Sequence, residues 1–398
     1  MRRPVTGVVL TGASVLAADP DLVGAGRFGL LTNFTGTMPD LTRTVDALLA
    51  AGVNVTALFG PEHGLRGSVQ AGETETDDHD AETGLPLFET YLLSPGELDA
   101  LIERSGVDAL IFDMQDLGVR FYTYIWSLYD VMLSAARTGR RFIVLDRPNP
   151  LGGTVTDGPR LDPAFASFVG RVDIPVRHGL TAGELAGLFN EQFLPAEVGT
   201  SLDLQVIGMR GWERTSWFDQ TGLPWVAPSP NMPTLETALA FCGTGLFEGT
   251  NVSEGRGTTR PFEMLGAPFL DGALAPALRD LGLPGVLFRD ALFTPTFHKY
   301  AGQTLRGVQL HVVDRERFEP VRCAASMMAT IAEIYSDDFS FLRPGERVDA
   351  TERGFPIDRL WGSAWLRESV GSGADLRPLL PAASSPAAAY GSRSLLYP

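Results

Sequence analysis

"VDALIFDMQDLGVRFYTYIWSLYDVMLSAARTGRRFIVLDRPNP", residues 107–150, holds two apolar runs on either side of a stretch whose apolar residues recur at i, i+3 and i+4 and stop at Gly139. The outer runs, 107–115 and 141–150, read as buried strands ending in polar residues, and the middle as a helix closed by glycine. Strand, helix, strand is the unit of a parallel sheet covered by helices. The alternation extends upstream. "RFGLLTN" (27–33) and "VNVTALFGP" (53–61) are further strands, and "LTRTVDALLAAG" (41–52) and "SPGELDALIERSG" (94–106) are helices. Ligands of open α/β sheets bind beyond the carboxyl ends of the strands, so Glu62, Asp116 and Asp146 are expected to converge on one edge.

Downstream, "PSPNMPT" (228–234) suggests a crossover, followed by a helix over 235–241 that runs into glycine-rich turns. "GVLFRDALFTP" and "QTLRGVQLHVVD" read as strands and "FEPVRCAASMMATIAEIYS" as an amphipathic helix, which predicts a smaller α/β C-terminal domain. The tail "PAASSPAAAYGSRS" reads as loop. "GAGRFG" (24–29) matches the dinucleotide fingerprint, but it precedes a strand instead of following one and opening a helix, so it is a decoy.

With 398 residues, 44% hydrophobic and 20% charged, the chain can bury two cores. Its net charge of −16 lacks the basic footprint of a nucleic-acid or anionic-membrane surface. Lys299 is the sole lysine, so the positive charge lies on guanidinium groups suited to carboxylates or phosphates. Cys242 and Cys323 stand far apart and read as small core residues, with no disulfide framework or zinc spacing. The first twenty residues resemble a signal peptide loosely, but Thr6, Gly7, Thr11 and Gly12 interrupt the apolar stretch. A cytoplasmic protein is expected, with a secreted one as the alternative.

Glu62 sits on a turn at a strand end among Phe59, Pro61, His63 and Leu65. Crowding that withdraws water favours the protonated acid, which makes Glu62 the general-acid candidate. A structural carboxylate capping a turn or paired with Arg66 is the competing reading. "FDMQDLGVRFYTYIW" offers Asp113, Gln115, Asp116, Arg120, Tyr122 and Tyr124 at one strand-to-helix junction, a set that suits an oxygen-rich ligand such as a sugar. A helix cap with core aromatics is the plainer account. "LDRPNPLGG" adds Asp146, Arg147 and Asn149, and "FEGTNVSEGRGTTRPFE" adds Glu248, Asn251, Glu254 and Arg256 among glycines that allow close backbone approach. "DDHD" (77–80) has a metal-like composition but reads as a solvated acidic loop.

In this order, "GPEHGLRG", "FDMQDLGVRFYTY", "LDRPNPLGG", "PSPNMPT" and "FEGTNVSEGRGTTRPFE" resemble the NamZ family of exo-β-N-acetylmuramidases, and the likeness runs from "LLTNFTG" to the closing "SLLYP". The resemblance implies a Rossmann-like parallel-sheet catalytic domain over 1–230, an auxiliary α/β domain over 231–398 that completes a cleft, and release of N-acetylmuramic acid (MurNAc) from peptidoglycan-derived MurNAc-GlcNAc saccharides. No cofactor, metal, nucleic acid or membrane insertion is expected.

Glycoside hydrolysis commonly needs a proton donor and a second group that attacks C1 or activates water. Glu62 is assigned the first role and Asp116 or Glu248 the second, while participation of the N-acetyl group would remove the need for a carboxylate nucleophile. The lactyl carboxylate of MurNAc gives an arginine a purpose. Arg120 and Arg256 are the candidates, with Arg66 and Arg147 behind them. His63, Tyr122, Tyr124, Asp146, Asn149, Asn231 and Asn251 complete the expected sugar-binding set. Two other readings stand beside this one. One is a muropeptide-binding protein without turnover. The other is a phosphatase, suggested by "FDMQD" but lacking an acidic metal pair beside Lys299.

Overall fold

The structure, a computed structural model, describes residues 7–67, 78–346, 354–372, 376, 380 and 382–398. The first part runs α1 (Gly12–Ala18), β1 (Phe28–Thr32), α2 (Thr44–Ala50), β2 (Val55–Gly60), β3 (Leu87–Glu89), α3 (Pro95–Ser105), β4 (Ala109–Asp113), α4 (Tyr124–Thr138) and β5 (Arg141–Leu145). The antiparallel pair β6 (Asp157–Arg160) and β7 (Pro175–Arg177) follows, then α5 (Ala182–Gln192), α6 (Leu194–Val198) and β8 (Leu204–Ile207).

Among the described residues, six strands form one parallel sheet in the order β3-β2-β1-β4-β5-β8. β1 and β4 are buried along their whole length because helices cover both faces, which is why their sequences run apolar without alternation. Local chemistry sets the helix ends. Ser94 and Glu97 form a capping box at the start of α3, and Gly106 and Gly139 take φ 68° and 67° to stop α3 and α4. The sheet grows outward in both directions from the β1–β4 pair, so the connections reverse there and leave a crevice at the carboxyl edge. Thr32 Oγ1 donates to the Asp113 carbonyl across it at 2.8 Å. "GAGRFG" lies ahead of β1 and enters it, as its position in the sequence requires.

The second part holds α7 (Leu235–Thr244), β9 (Met264–Ala267), α8 (Leu274–Asp280), β10 (Val286–Phe293), β11 (Leu305–Val312), α9 (Pro320–Ile334), α10 (Pro356–Trp361), α11 (Trp365–Gly371) and α12 (Pro386–Tyr390). Its sheet is antiparallel, in the order β10-β11-β9. The tail expected as loop contains α12, started by Pro386 and capped by the Ser385 hydroxyl. One apolar core spans both parts, with Phe121 edge-on to Phe241 at 5.1 Å between centroids. The chain end returns to the first part. Tyr397 donates its hydroxyl to Asp146 at 2.5 Å, and the Leu396 N–H donates to Glu184 at 2.8 Å.

Candidate active site

β2 ends at Gly60, and the chain turns at once. The Gly64 N–H donates to the Pro61 carbonyl at 3.0 Å, which places His63 third in a four-residue turn with φ 73°. That position with positive φ ordinarily takes glycine, so a histidine there is held by its surroundings and not by preference. The turn is buried from Pro61 to Leu65. Glu62, 9% exposed, accepts from Thr123 Oγ1 at 2.6 Å and from the Tyr91 hydroxyl at 3.1 Å. Because a hydroxyl both donates and accepts, these contacts serve Glu62 with or without its proton.

Glu62 opens onto a cleft of about 650 Å³ lined also by His63, Tyr122, Glu248 and Arg256. Glu248 and Arg256 come from the glycine-rich segment after α7. Arg256 Nη2 lies 2.5 Å from Glu248 Oε1 and its Nε 3.3 Å from Glu254 Oε1, while the guanidinium sits over the Phe262 ring at 4.9 Å. Burial works against the charge on Arg256, yet Glu248 and Glu254 hold its guanidinium above its ordinary value. Burial likewise opposes charge on Glu254, but Lys299, His298 and Arg256 outweigh it and keep that carboxyl well below the usual carboxylate range. The cleft thus brings two carboxylates, Glu62 and Glu248, into one lining, with Arg256 between Glu248 and Glu254.

Tyr122 and Tyr124 spend their hydroxyls on one acceptor, the Pro228 carbonyl, at 2.8 and 2.6 Å. Tyr122 reaches the cleft, and together the pair fixes the crossover that brings Ser229 and Met232 to its wall. Asn231 is buried in that crossover without lining the cleft. Asp116 lies outside the lining; its Oδ2 accepts from the Gly118 N–H at 2.6 Å and sits 3.2 Å from His178 Nε2.

Several expectations need correction. Arg120 is wholly buried and donates to the carbonyls of Pro159, Ile174, Leu360 and Trp361, so it staples backbone and lies outside the cleft lining. Asp146 does not converge with Glu62: it accepts from Thr181, Gly183, Arg147 and Tyr397, and burial pushes its carboxyl up to about 6. Arg147 is paired with Asp113 at 2.6 Å and borders a separate hollow with Gln115 at the sheet's reversal point. Asn149 holds a turn through Leu151 and Leu180. Asn251 donates to the Asp338 carbonyl and accepts from the Ser340 N–H, tying loops together away from the cleft. Arg66 lies 3.7 Å from Asp80 with its side chain 42% exposed. Asp80 is not solvated as "DDHD" suggested: it is buried, 3.1 Å from Arg43. Asp77 of that motif lies outside the described residues. A larger hollow of about 840 Å³ beside Trp217 and Arg315 contains none of the expected residues.

Sequence reasoning missed Tyr91 and Thr123, which bond Glu62; Phe168, which lines the cleft; and His298 and Lys299, which pair with Glu254. Thr123 lies inside the quoted "FYTYIW", where nothing adjacent in the chain marks it as a partner of Glu62. Tyr91 follows a three-residue strand that carries no periodicity.

Comparison with known proteins places this arrangement. A family model described as exo-beta-N-acetylmuramidase NamZ, N-terminal, matches residues 28–236, and its C-terminal counterpart matches 239–397. The peptidoglycan beta-N-acetylmuramidase NamZ of Bacillus subtilis (strain 168) is 45% identical over 376 residues, covering 94% of this chain and 86% of that protein. Two crystal structures of DUF1343 family proteins from Bacteroides fragilis NCTC 9343 share the fold. One has TM-score 0.84 at 31% identity with both chains covered entirely. The other has TM-score 0.72 at 27% identity, covering 98% of this chain and 99% of its own.

Proposed function

Because the chain belongs to the exo-beta-N-acetylmuramidase NamZ family, we propose that it is an exo-acting glycoside hydrolase that releases MurNAc from the non-reducing end of peptidoglycan fragments. The observation that carries this reading at the site is Glu62, buried at the cleft wall between two hydroxyls and facing a cleft shared with the Glu248–Arg256 pair. A carboxylic acid protonates the glycosidic oxygen as the bond to C1 opens, which is the step that makes an alcohol leave. Glu62 takes this role. Glu248, steadied by Arg256, is the second group, placed to activate water or to meet the developing positive charge at C1. Tyr122, Phe168 and Phe241 supply ring surface for the apolar faces of a sugar. Arg256 supplies the positive charge that a lactyl carboxylate seeks, and its presence in the lining supports recognition of a muramyl terminus.

We place the division between the Rossmann-like part and the auxiliary part near residue 230, with the cleft drawing on both. Among the described residues no helix is long and apolar enough to cross a membrane. The reading assigns the protein to the cytoplasm, where Cys242 and Cys323 stay reduced; both are buried free thiols.

The test is incubation of the purified chain with the disaccharide MurNAc-GlcNAc and separation of the products. Free MurNAc is expected from the wild type and not from Glu62→Gln. Saturable binding of the disaccharide without cleavage would overturn the hydrolase in favour of a binding protein.

A further inference from the structure

The segment that carries Glu248 and Arg256 contains Gly249, Gly255 and Gly257, and such a segment has little stiffness of its own. Its rigidity comes from elsewhere, from the connection between β10 and β11. Three consecutive residues there, His298, Lys299 and Tyr300, all direct their side chains at the segment. His298 Nδ1 lies 3.1 Å from Glu254 Oε1. Lys299 Nζ lies 3.0 Å from Glu254 Oε2 and donates to the carbonyls of Phe247 at 2.9 Å, Val252 at 3.1 Å and Glu248 at 3.4 Å. The Tyr300 hydroxyl donates to the Asn251 carbonyl at 2.5 Å.

Two features mark this as a built arrangement. His298 and Tyr300 both adopt left-handed backbone, φ 67° and 60°, which residues with a Cβ keep only when neighbouring contacts over-determine them. Lys299 is the one lysine in a chain whose other cations are all arginine, and a compact ammonium can serve converging carbonyls that a planar guanidinium fork fits poorly. The two segments also meet backbone to backbone. The Thr296 N–H donates to the Gly257 carbonyl at 3.0 Å, and a Cβ on Gly257 would stand 2.7 Å from the Phe297 nitrogen.

We propose that His298, Lys299 and Tyr300 form a positioning clamp for the reaction assigned above, holding Glu248 and Arg256 at the reacting geometry. This rests on the hydrolase reading. None of the three lines the cleft, so the clamp acts through others. Lys299 and His298 hold Glu254, Glu254 holds Arg256, and Arg256 holds Glu248. Lys299 also grips the Glu248 backbone directly, and misplacing a reacting group by about 1 Å costs on the order of a hundredfold in rate.

The experiment measures kcat and KM on MurNAc-GlcNAc for the full-length wild type, Lys299→Met, Glu254→Gln, the double variant and Tyr300→Phe, well below each melting temperature. Lys299→Met is expected to lower kcat about ten- to a hundredfold while KM moves less than about threefold, because substrate-contacting groups remain and only their registration is lost. In the Glu254→Gln background the same substitution should cost much less, since both act along one chain of contacts. Wild-type kcat in Lys299→Met, or losses that multiply fully in the double variant, would overturn the clamp. If Lys299→Met does not fold, Tyr300→Phe decides: it deletes one hydrogen bond, and a several-fold fall in kcat at constant KM supports the clamp while an unchanged kcat overturns it. Wild-type turnover checks the hydrolase reading separately. An inactive wild type overturns both readings, whereas an active wild type with unaffected variants overturns the clamp alone.

Discussion

Thr123 occupies the N-cap position of α4, yet its hydroxyl caps nothing and instead donates to Glu62 Oε2 at 2.6 Å, across 61 positions of sequence. A threonine before a helix ordinarily satisfies a free backbone N–H of the first turn. Here that capacity is diverted to the acid on the neighbouring strand end, so the start of α4 and the turn after β2 are locked together at the cleft.

Removing the proton-donating capacity of Glu62 should stop the chemistry without disturbing the fold. Glu62→Gln keeps both hydroxyl partners supplied and is expected to lower kcat by about two to four powers of ten with an unchanged melting temperature. Thr123→Val, which removes the donor to Oε2, should cost about ten- to a hundredfold. Steady-state kinetics beside thermal melts check both, and a Glu62→Gln enzyme of normal turnover would move the acid elsewhere.

The two arginines first considered for the lactyl carboxylate should part company. Arg120→Leu strands four backbone carbonyls in the interior and is expected to destabilise by about 3 kcal/mol or more, with the preference for muramide over glucosaminide unchanged in whatever protein folds. Arg256→Leu should narrow that preference by about one to three powers of ten. Paired kcat/KM values on matched chromogenic muramide and glucosaminide substrates decide. Equal preference in wild type and Arg256→Leu would mean that the lactate is read by another group.

Asp146 gives the stability a pH dependence of definite sign. Burial raises its carboxyl from the ordinary 3.8 to about 6, so the folded protein binds a proton that the unfolded chain has released. Its contribution is full below about pH 4 and is lost as the pH rises through about 6. Asp130 and Asp157, also raised by burial, share the sign. Asp80 has the opposite sign: burial notwithstanding, Arg43 and Thr83 hold it at about 2, and its contribution fades only as the pH falls below the ordinary 3.8. Asp146 therefore contributes a fall in melting temperature as the pH rises between 4 and 6, and Asp146→Asn should remove that contribution, so that the variant's melting temperature declines less, or rises more, than the wild type's across this window. An unaltered slope in the variant would contradict the assignment.

His63 holds a backbone conformation that few side chains tolerate. His63→Val, β-branched, should melt well below His63→Asn, since asparagine enters the left-handed region at low cost. Both should lose turnover through loss of the imidazole at the cleft. Melts of the two variants in parallel test this, and equal melting temperatures would remove the backbone argument.

The parallel sheet was legible because its main strands, 27–33, 53–61, 107–115 and 141–150, are apolar on both faces and alternate with helices whose spacing and glycine stops are local properties. β3 and β8, three and four residues long, were not, because so short a run carries no period and owes its pairing to the neighbouring strand. At the site, the sequence alone determined that Glu62 stands on a strand-end turn and that Glu248 and Arg256 share a glycine-rich segment, since each follows from residues adjacent in the chain. Which of the polar groups line the cleft was decided only in three dimensions. Arg120 and Arg256 both stand in polar, glycine-containing stretches of the sequence, but four carbonyls from distant segments close around Arg120 while Arg256 meets the cleft. Tyr91, Thr123 and Lys299 took their roles from partners 29, 61 and 45 positions away. A side chain's hydrogen-bond partners depend on which strand ends and loops the packed core brings within about 3 Å, and that distance is a property of the fold and not of the sequence interval.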